Sequence, residues 1–259
     1  MTKLSMHESL PFDEATAPSL VSTGELPQIE KVRGVVTEAY ERYRSNGDGA
    51  VADYIPALAS ASPDLFGISV VGARGRFFEI GDVETAFSIQ SVSKPFVFAL
   101  VCEAIGYEAA RQRLGVNSTG FPFNSLMAVE LNDDRTMNPL VNAGAIATTS
   151  LVPGDTAEEK WERIRDGLSR FAGRELALSE DVYESESATN MRNHGIAHLL
   201  ASYERLYFDP DEATDIYTRQ CSLDVTAHDL AVMAATLADG GVNPMTAERV
   251  IVAGVCRRV

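Results

Sequence analysis

A mixed α/β fold of the α+β kind is predicted, with an antiparallel sheet flanked by helices and a mainly helical subdomain. Three features in chain order predict it. A helical period of apolar positions opens the ordered part of the chain, from Ile29 to Tyr43. Two β-branched or aromatic runs follow, separated by Gly72-Ala73-Arg74-Gly75. Beyond Lys94 the pattern turns helical and stays so.

Residues 1–28 carry Pro11, Pro18 and Pro27 among scattered acids without a period, which suggests a loosely ordered lead-in. Val32, Val35, Val36, Ala39, Tyr40 and Tyr43 then share one helical face, and Asn46-Gly47-Asp48-Gly49 ends it. Residues 66–71 and 76–80 read as the two strands of a hairpin. Helices are expected over 96–105, over 155–171 with Trp161, Ile164, Leu168 and Phe171 on one face, and around 191–206. Thr226 is suited to cap a helix through Leu230, Met233 and Leu237 that Gly240-Gly241 stops. A lone hairpin is marginal in water, so the sheet needs more strands, and none is evident before Val259. Residues 29–259 read as a single domain with its helical subdomain at about 100–240.

The chain of 259 residues is 45% hydrophobic, enough to bury a full core. Its formal net charge of -15 opposes nucleic acid and anionic membrane surfaces as partners and favours a small-molecule ligand. No window is apolar enough for a signal peptide or a membrane span, so a cytoplasmic location is expected. Cys102, Cys221 and Cys256 are far apart and lack Cys-x-x-Cys spacing, which favours buried thiols over disulfides or zinc. No Gly-x-Gly-x-x-Gly and no Gly-Lys-Ser or Gly-Lys-Thr occurs, which argues against nucleotide chemistry.

Ser91-Val92-Ser93-Lys94 places a hydroxyl and an amine three residues apart at a helix start, the layout of a serine nucleophile with a lysine base. The positive end of the helix dipole stabilises an oxyanion there and favours a neutral lysine. Taken alone, the spacing is better explained by a serine cap followed by a solvated lysine. Further on, Asn138-Pro139-Leu140-Val141-Asn142-Ala143-Gly144-Ala145 runs from a polar turn into small residues, where backbones can approach and an amide can project beside a helix start. Residues 183–193 cluster acids, amides and Arg192 like an elaborate helix cap, and could also hold a zwitterion. Glu186 offers a carboxylate to an α-ammonium there, and Asn193 an amide donor to an α-carboxylate. His194 and His198 have helical metal-ligand spacing, yet no third ligand is evident and no metal is expected.

Together these segments resemble the serine-dependent glutaminases. The resemblance runs through Asp53-Tyr54-Ile55-Pro56, Ser62-Pro63-Asp64-Leu65-Phe66-Gly67, Gln90 to Lys94, Asn138 to Ala145, Ser185-Glu186 with Arg192-Asn193, Tyr217 to Ser222, and Met233 to Gly241. It implies the scaffold of β-lactamases and penicillin-binding proteins, and hydrolysis of L-glutamine to L-glutamate and ammonia without a cofactor. It further implies Ser91 as nucleophile, Lys94 as base and Tyr54 near the dyad, with Ser91, Asn142, Glu186, Asn193 and Tyr217 contacting glutamine. A homodimer or homotetramer is implied as well. Family members continue beyond the helix matching Ala247 to Val259 into a tyrosine-bearing segment and a Lys-Ser-Gly strand. The 259 residues are therefore expected to be a C-terminally shortened version with impaired turnover. The competing readings are a non-catalytic glutamine- or glutamate-binding or assembly subunit and, less favoured for want of an export signal, a penicillin-recognising serine hydrolase.

Overall fold

The structure is a computed structural model and describes residues 28–259. The expected lead-in over 1–28 lies, apart from Gln28, outside the described residues.

Helix α1 (Ile29–Tyr43) buries Val36 and stacks Tyr40 on Phe66 with ring centroids 5.5 Å apart. Strands β1 (Gly67–Val71) and β2 (Phe77–Gly81) form the expected antiparallel hairpin, with Val71 opposite Phe77. Its connection closes when the Gly72 N–H donates to the Arg76 carbonyl at 2.8 Å. A second pair, β3 (Phe87–Ser88) with β4 (Asp224–Val225), makes its own two-stranded sheet rather than extending the first. The pairing was not legible because each strand is two residues long and its partner lies far away in sequence. It matters for the site: with the Ile89 N–H donating to the Leu223 carbonyl at 2.8 Å, it pins the chain before Ser91 to the segment after Cys221.

Helix α2 (Ser93–Ile105) is apolar nearly all round and buries Phe96, Val97, Phe98, Ala99, Val101 and Cys102, as a central helix must. Short helices α3 (Tyr107–Leu114) and α4 (Leu126–Glu130) lead to α5 (Asn142–Leu151), all ten of whose residues are buried. Helix α6 (Ala157–Ala172) starts at Thr156, whose hydroxyl accepts from the Glu159 N–H, and puts Trp161, Ile164, Leu168 and Phe171 into the core as its period predicts. α2 packs between α5 and α6, with Phe96 and Phe171 rings 5.2 Å apart. Buried Lys160 on α6 donates to the Ser150 and Val152 carbonyls at 3.1 and 2.5 Å, satisfying the open C-terminal end of α5.

Helices α7 (Glu180–Ser187), α8 (Met191–Ser202) and α9 (Pro210–Cys221) complete the helical part. Asp209 caps α9 by accepting from the N–H groups of Asp211 and Glu212, both at 3.0 Å. Thr226 and Asp229 form a reciprocal capping box on α10 (Ala227–Ala238), and buried Asp229 also takes two hydrogen bonds from Arg174, at 2.9 and 2.5 Å. Gly240 and Gly241, with φ of 65° and 87°, turn the chain beyond it toward the short α11 (Ala253–Cys256). Helix α10 lies against β1 and α1 against β2, while one continuous apolar core runs from Ile89 to Val255. The three cysteines form no disulfide; Cys102 and Cys221 are buried and Cys256 is half-buried. Among the described residues no helix is long and apolar enough to cross a membrane.

Candidate active site

Ser91 sits in a single helical turn, Gln90–Val92, that runs directly into α2. The residue before it, Gln90, has φ of 48°, a left-handed conformation that a non-glycine residue holds only under constraint. The constraint is visible. The buried Ser93 hydroxyl donates to the Gln90 carbonyl at 2.7 Å and accepts from the Gln220 amide at 2.9 Å, and Gln220 in turn accepts from Thr149 at 3.1 Å. This chain of polar groups from α2, α9 and α5 presents Ser91, which remains exposed, to a cleft of about 600 Å³.

Lys94 lies one turn on, only 3% exposed. Its Nζ donates to Asn142 Oδ1 at 2.9 Å and to the Leu140 carbonyl at 3.3 Å. Burial lowers its pKa, against a smaller opposing effect of Cys221. Asn142 occupies the first position of α5 and passes the interaction on, its Nδ2 donating to Asn193 Oδ1 of α8 at 3.0 Å. The small residues after Asn142 have the expected purpose: a Cβ on Gly144 would collide with the backbone carbonyl of Asn138, so only glycine lets the 138–141 turn fold over α5. Gly144→Ala is therefore expected to destabilise the fold by about 1–3 kcal/mol and to displace Asn142. Denaturant unfolding beside glutamine turnover checks this, with activity falling even at temperatures where the variant is folded.

Tyr217, on α9, is 2% exposed and lines the cleft together with Ser91 and Cys221. Burial holds the phenol well above its ordinary range, so it stays neutral. Burial likewise pushes the Cys221 thiol up to about 12. Glu186, near the end of α7, is 7% exposed, and its Oε2 has no hydrogen-bond partner. Burial pushes its carboxyl up to about 7, against the opposing effect of a hydrogen bond with Gln90. Tyr54 stands at the rim, 67% exposed, on the chain leading into the helical turn Pro56–Ser60, which is tied to α7 where the Ala57 N–H donates to Ser185 Oγ at 3.1 Å.

Tyr54, Ser91, Lys94, Asn142, Glu186, Asn193 and Tyr217, all the sites expected from sequence, line this one cleft. Sequence reasoning did not single out Phe123, Thr189 and Asn190, which line it too, or the strained backbone of Gln90. Phe123 is 61% exposed, its ring centroid 6.0 Å from Lys94 Nζ. His194 and His198 face away to a shared partner, Asp211 Oδ1, at 2.8 and 3.2 Å, joining α8 to the start of α9. Among the described residues no group of three His, Cys, Asp or Glu side chains is arranged to hold a metal ion.

A cleft of this size suits a free amino acid, and the groups in it suit acyl transfer: an exposed hydroxyl, a buried amine and a carboxylate opposite. Comparison with known proteins agrees. The family model described as glutaminase matches residues 49–259. Glutaminase 2 of Yersinia pestis is 59% identical over 236 residues, which is 91% of this chain and 69% of the relative. The solved structure of a probable glutaminase, ybaS, superposes with a TM-score of 0.87 at 42% identity, covering 89% of this chain and 75% of that one. Mglu in its glutamate form superposes with a TM-score of 0.79 at 37% identity, covering 91% and 53%. The mostly helical architecture with small antiparallel sheets is thus the β-lactamase-like one of these structures, and the chain belongs to the glutaminase family.

Proposed function

We propose that the chain, an amidohydrolase of the glutaminase family, converts L-glutamine and water to L-glutamate and ammonia through an ester on Ser91. The observation that most supports this is the state of Lys94. Burial favours its neutral form, and a neutral amine has two N–H donors and one lone pair. In that neutral form the two donors would serve Asn142 Oδ1 and the Leu140 carbonyl, and the lone pair would be left to take the proton of Ser91, one helical turn away.

In this reading Ser91 Oγ attacks the side-chain carbonyl carbon of glutamine as Lys94 takes its proton. The tetrahedral adduct collapses, the C–N bond breaks, and Lys94 returns the proton to the departing ammonia. A water molecule then attacks the γ-glutamyl ester, giving one proton to Lys94, and Ser91 recovers it as glutamate leaves. Tyr217, which lines the same cleft as Ser91, orients the nucleophile and stays neutral throughout. Glu186 pairs with the α-ammonium, and Asn142, Asn193 and Tyr217 read the polar end of the amino acid, with Tyr54 closing over the dyad. A structural relative solved in its glutamate form supports an amino-acid ligand of this length. The same reading takes residues 29–259 as one domain with its helical part near 100–240, working as a homodimer or homotetramer in the cytoplasm.

Enzyme-coupled detection of glutamate tests the function. Glutamine is expected to give product, asparagine to give at least tenfold less, and Ser91→Ala to give none above background. Glutamate binding by calorimetry without any turnover would instead favour a binding subunit.

A further inference from the structure

Two buried side-chain atoms among the described residues lack any hydrogen-bond partner, Glu186 Oε2 and Asn190 Oδ1. They belong to side chains four positions apart, on either side of the short link between α7 and α8, and both residues line the cleft. Asn190 is 9% exposed and Glu186 7%. An unmet buried polar atom typically costs about 1–3 kcal/mol, so two on residues that line one ligand cleft call for a partner there.

The orientation of the Asn190 amide follows from its neighbour. Thr218 has a single hydroxyl proton, which it donates to the Thr214 carbonyl at 2.9 Å. It can therefore only accept from Asn190, whose Nδ2 donates to it at 2.9 Å. That fixes Oδ1 as the end left over, an acceptor. Asn190 stands at the N-cap position of α8, yet its side chain makes no capping bond there, so helix capping does not account for it.

Both orphaned atoms are thus acceptors, one on a carboxylate and one on a neutral amide. The complementary ligand group carries several N–H donors, no lone pair and a positive charge, which describes an ammonium. We propose that Asn190 is a specificity-determining residue of the glutaminase reaction, its Oδ1 accepting a second hydrogen bond from the α-ammonium that Glu186 holds. The inference rests on the reading of Glu186 as the ammonium partner. A neutral second acceptor suits the place: another carboxylate beside Glu186 would repel it, whereas an amide adds a directed bond without charge. The pair then selects amino acids with a free α-amino group and rejects those in which it is missing, because each absent donor leaves a buried oxygen unmet.

The test compares L-glutamate with glutarate, which is L-glutamate without the amino group. Asn190→Leu keeps the side-chain volume and loses the acceptor. It is expected to weaken L-glutamate about 10- to 100-fold by calorimetry, the range for a hydrogen bond to a charged group. Glutarate should change less than about threefold. In turnover, Asn190→Leu should raise KM for glutamine and leave kcat within about threefold. That split decides the matter where glutarate binds too weakly to measure. If Asn190→Leu fails to fold, Asn190→Ala reads the same comparison. Equal losses for the two ligands, no loss for L-glutamate, or a loss confined to kcat would overturn the proposal and leave Asn190 a structural residue. Wild-type protein that binds L-glutamate but releases no ammonia from glutamine contradicts the amidohydrolase reading alone, and the affinities still decide the role of Asn190. Wild-type protein that binds no L-glutamate overturns both.

Discussion

Ser91→Ala is expected to lower kcat for glutamine by roughly 10⁴- to 10⁶-fold while leaving the affinity for L-glutamate within about threefold. Under the proposed reading the change removes the atom that forms the bond and leaves most of what holds the amino acid, since Glu186, Asn142 and Asn193 lie on other elements. Lys94→Met should cost nearly as much, because nucleophile and base act as a unit. The double variant should then be no slower than either single one. A multiplicative loss in the double variant would mean that serine and lysine contribute independently, contrary to proton transfer between them. Lys94→Met also leaves Asn142 Oδ1 and the Leu140 carbonyl without their donor, so thermal unfolding must accompany the kinetics.

Glu186→Gln should have opposite effects on activity and stability. Loss of the charge that pairs with the α-ammonium is expected to lower kcat/KM by about 10²- to 10³-fold, the typical cost of breaking a buried ion pair. The empty protein, however, should become more stable at pH 8. The Glu186 carboxyl is pushed up to about 7 in the fold, above its ordinary value of 4.5. Between those two values the folded chain therefore holds a proton that the unfolded chain has released, so its stability falls as pH rises through that window. Above about pH 7 the unliganded fold carries an ionised carboxylate with an unmet oxygen, at a cost on the order of 3 kcal/mol. Glutamine abolishes that cost, and urea titrations should show a gain of about 2 kcal/mol at pH 8 and little at pH 4.5. The wild-type kcat/KM should fall as pH drops below about 7 and Glu186 protonates, and in Glu186→Gln that contribution should be lost, leaving only the limb due to protonation of Lys94. Unchanged stability at pH 8 would mean that the carboxylate is better solvated than its burial indicates.

Elements with one apolar face were legible in the sequence. α1, α6 and α10 show a helical period with recognisable ends, and the Thr226 cap is found where its sequence context predicts it. α5 read as a turn followed by small residues because a helix buried on every side has no polar face to create a period. α7 read as the cap of the next helix, since its run of acids leaves no apolar stripe. α9 had a usable signal, Asp209-Pro210 followed by two acids, that resembles a loop until the cap is seen to hold two N–H groups.

The cleft divides along similar lines. The Ser91–Lys94 spacing is only suggestive alone, and the resemblance to glutaminases gives it weight and brings in residues from five other places in the chain. What no local pattern carries is the state of each group. Lys94 is buried so that its charged form is disfavoured, Gln90 is held at positive φ by a side-chain relay from three helices, and Asn190 is left with an unmet acceptor. Each of these depends on which elements meet, so only the assembled fold reveals it.

The central claim is that Ser91 forms a covalent ester during turnover, and intact-mass spectrometry of protein quenched in acid with saturating glutamine tests it most directly. A γ-glutamyl adduct that appears within the first turnover, maps to the peptide containing Ser91 and is absent from Ser91→Ala is the predicted result. Wild-type protein that releases ammonia with no adduct at any quench time, and a Ser91→Ala variant that turns over glutamine at the wild-type rate, would contradict it.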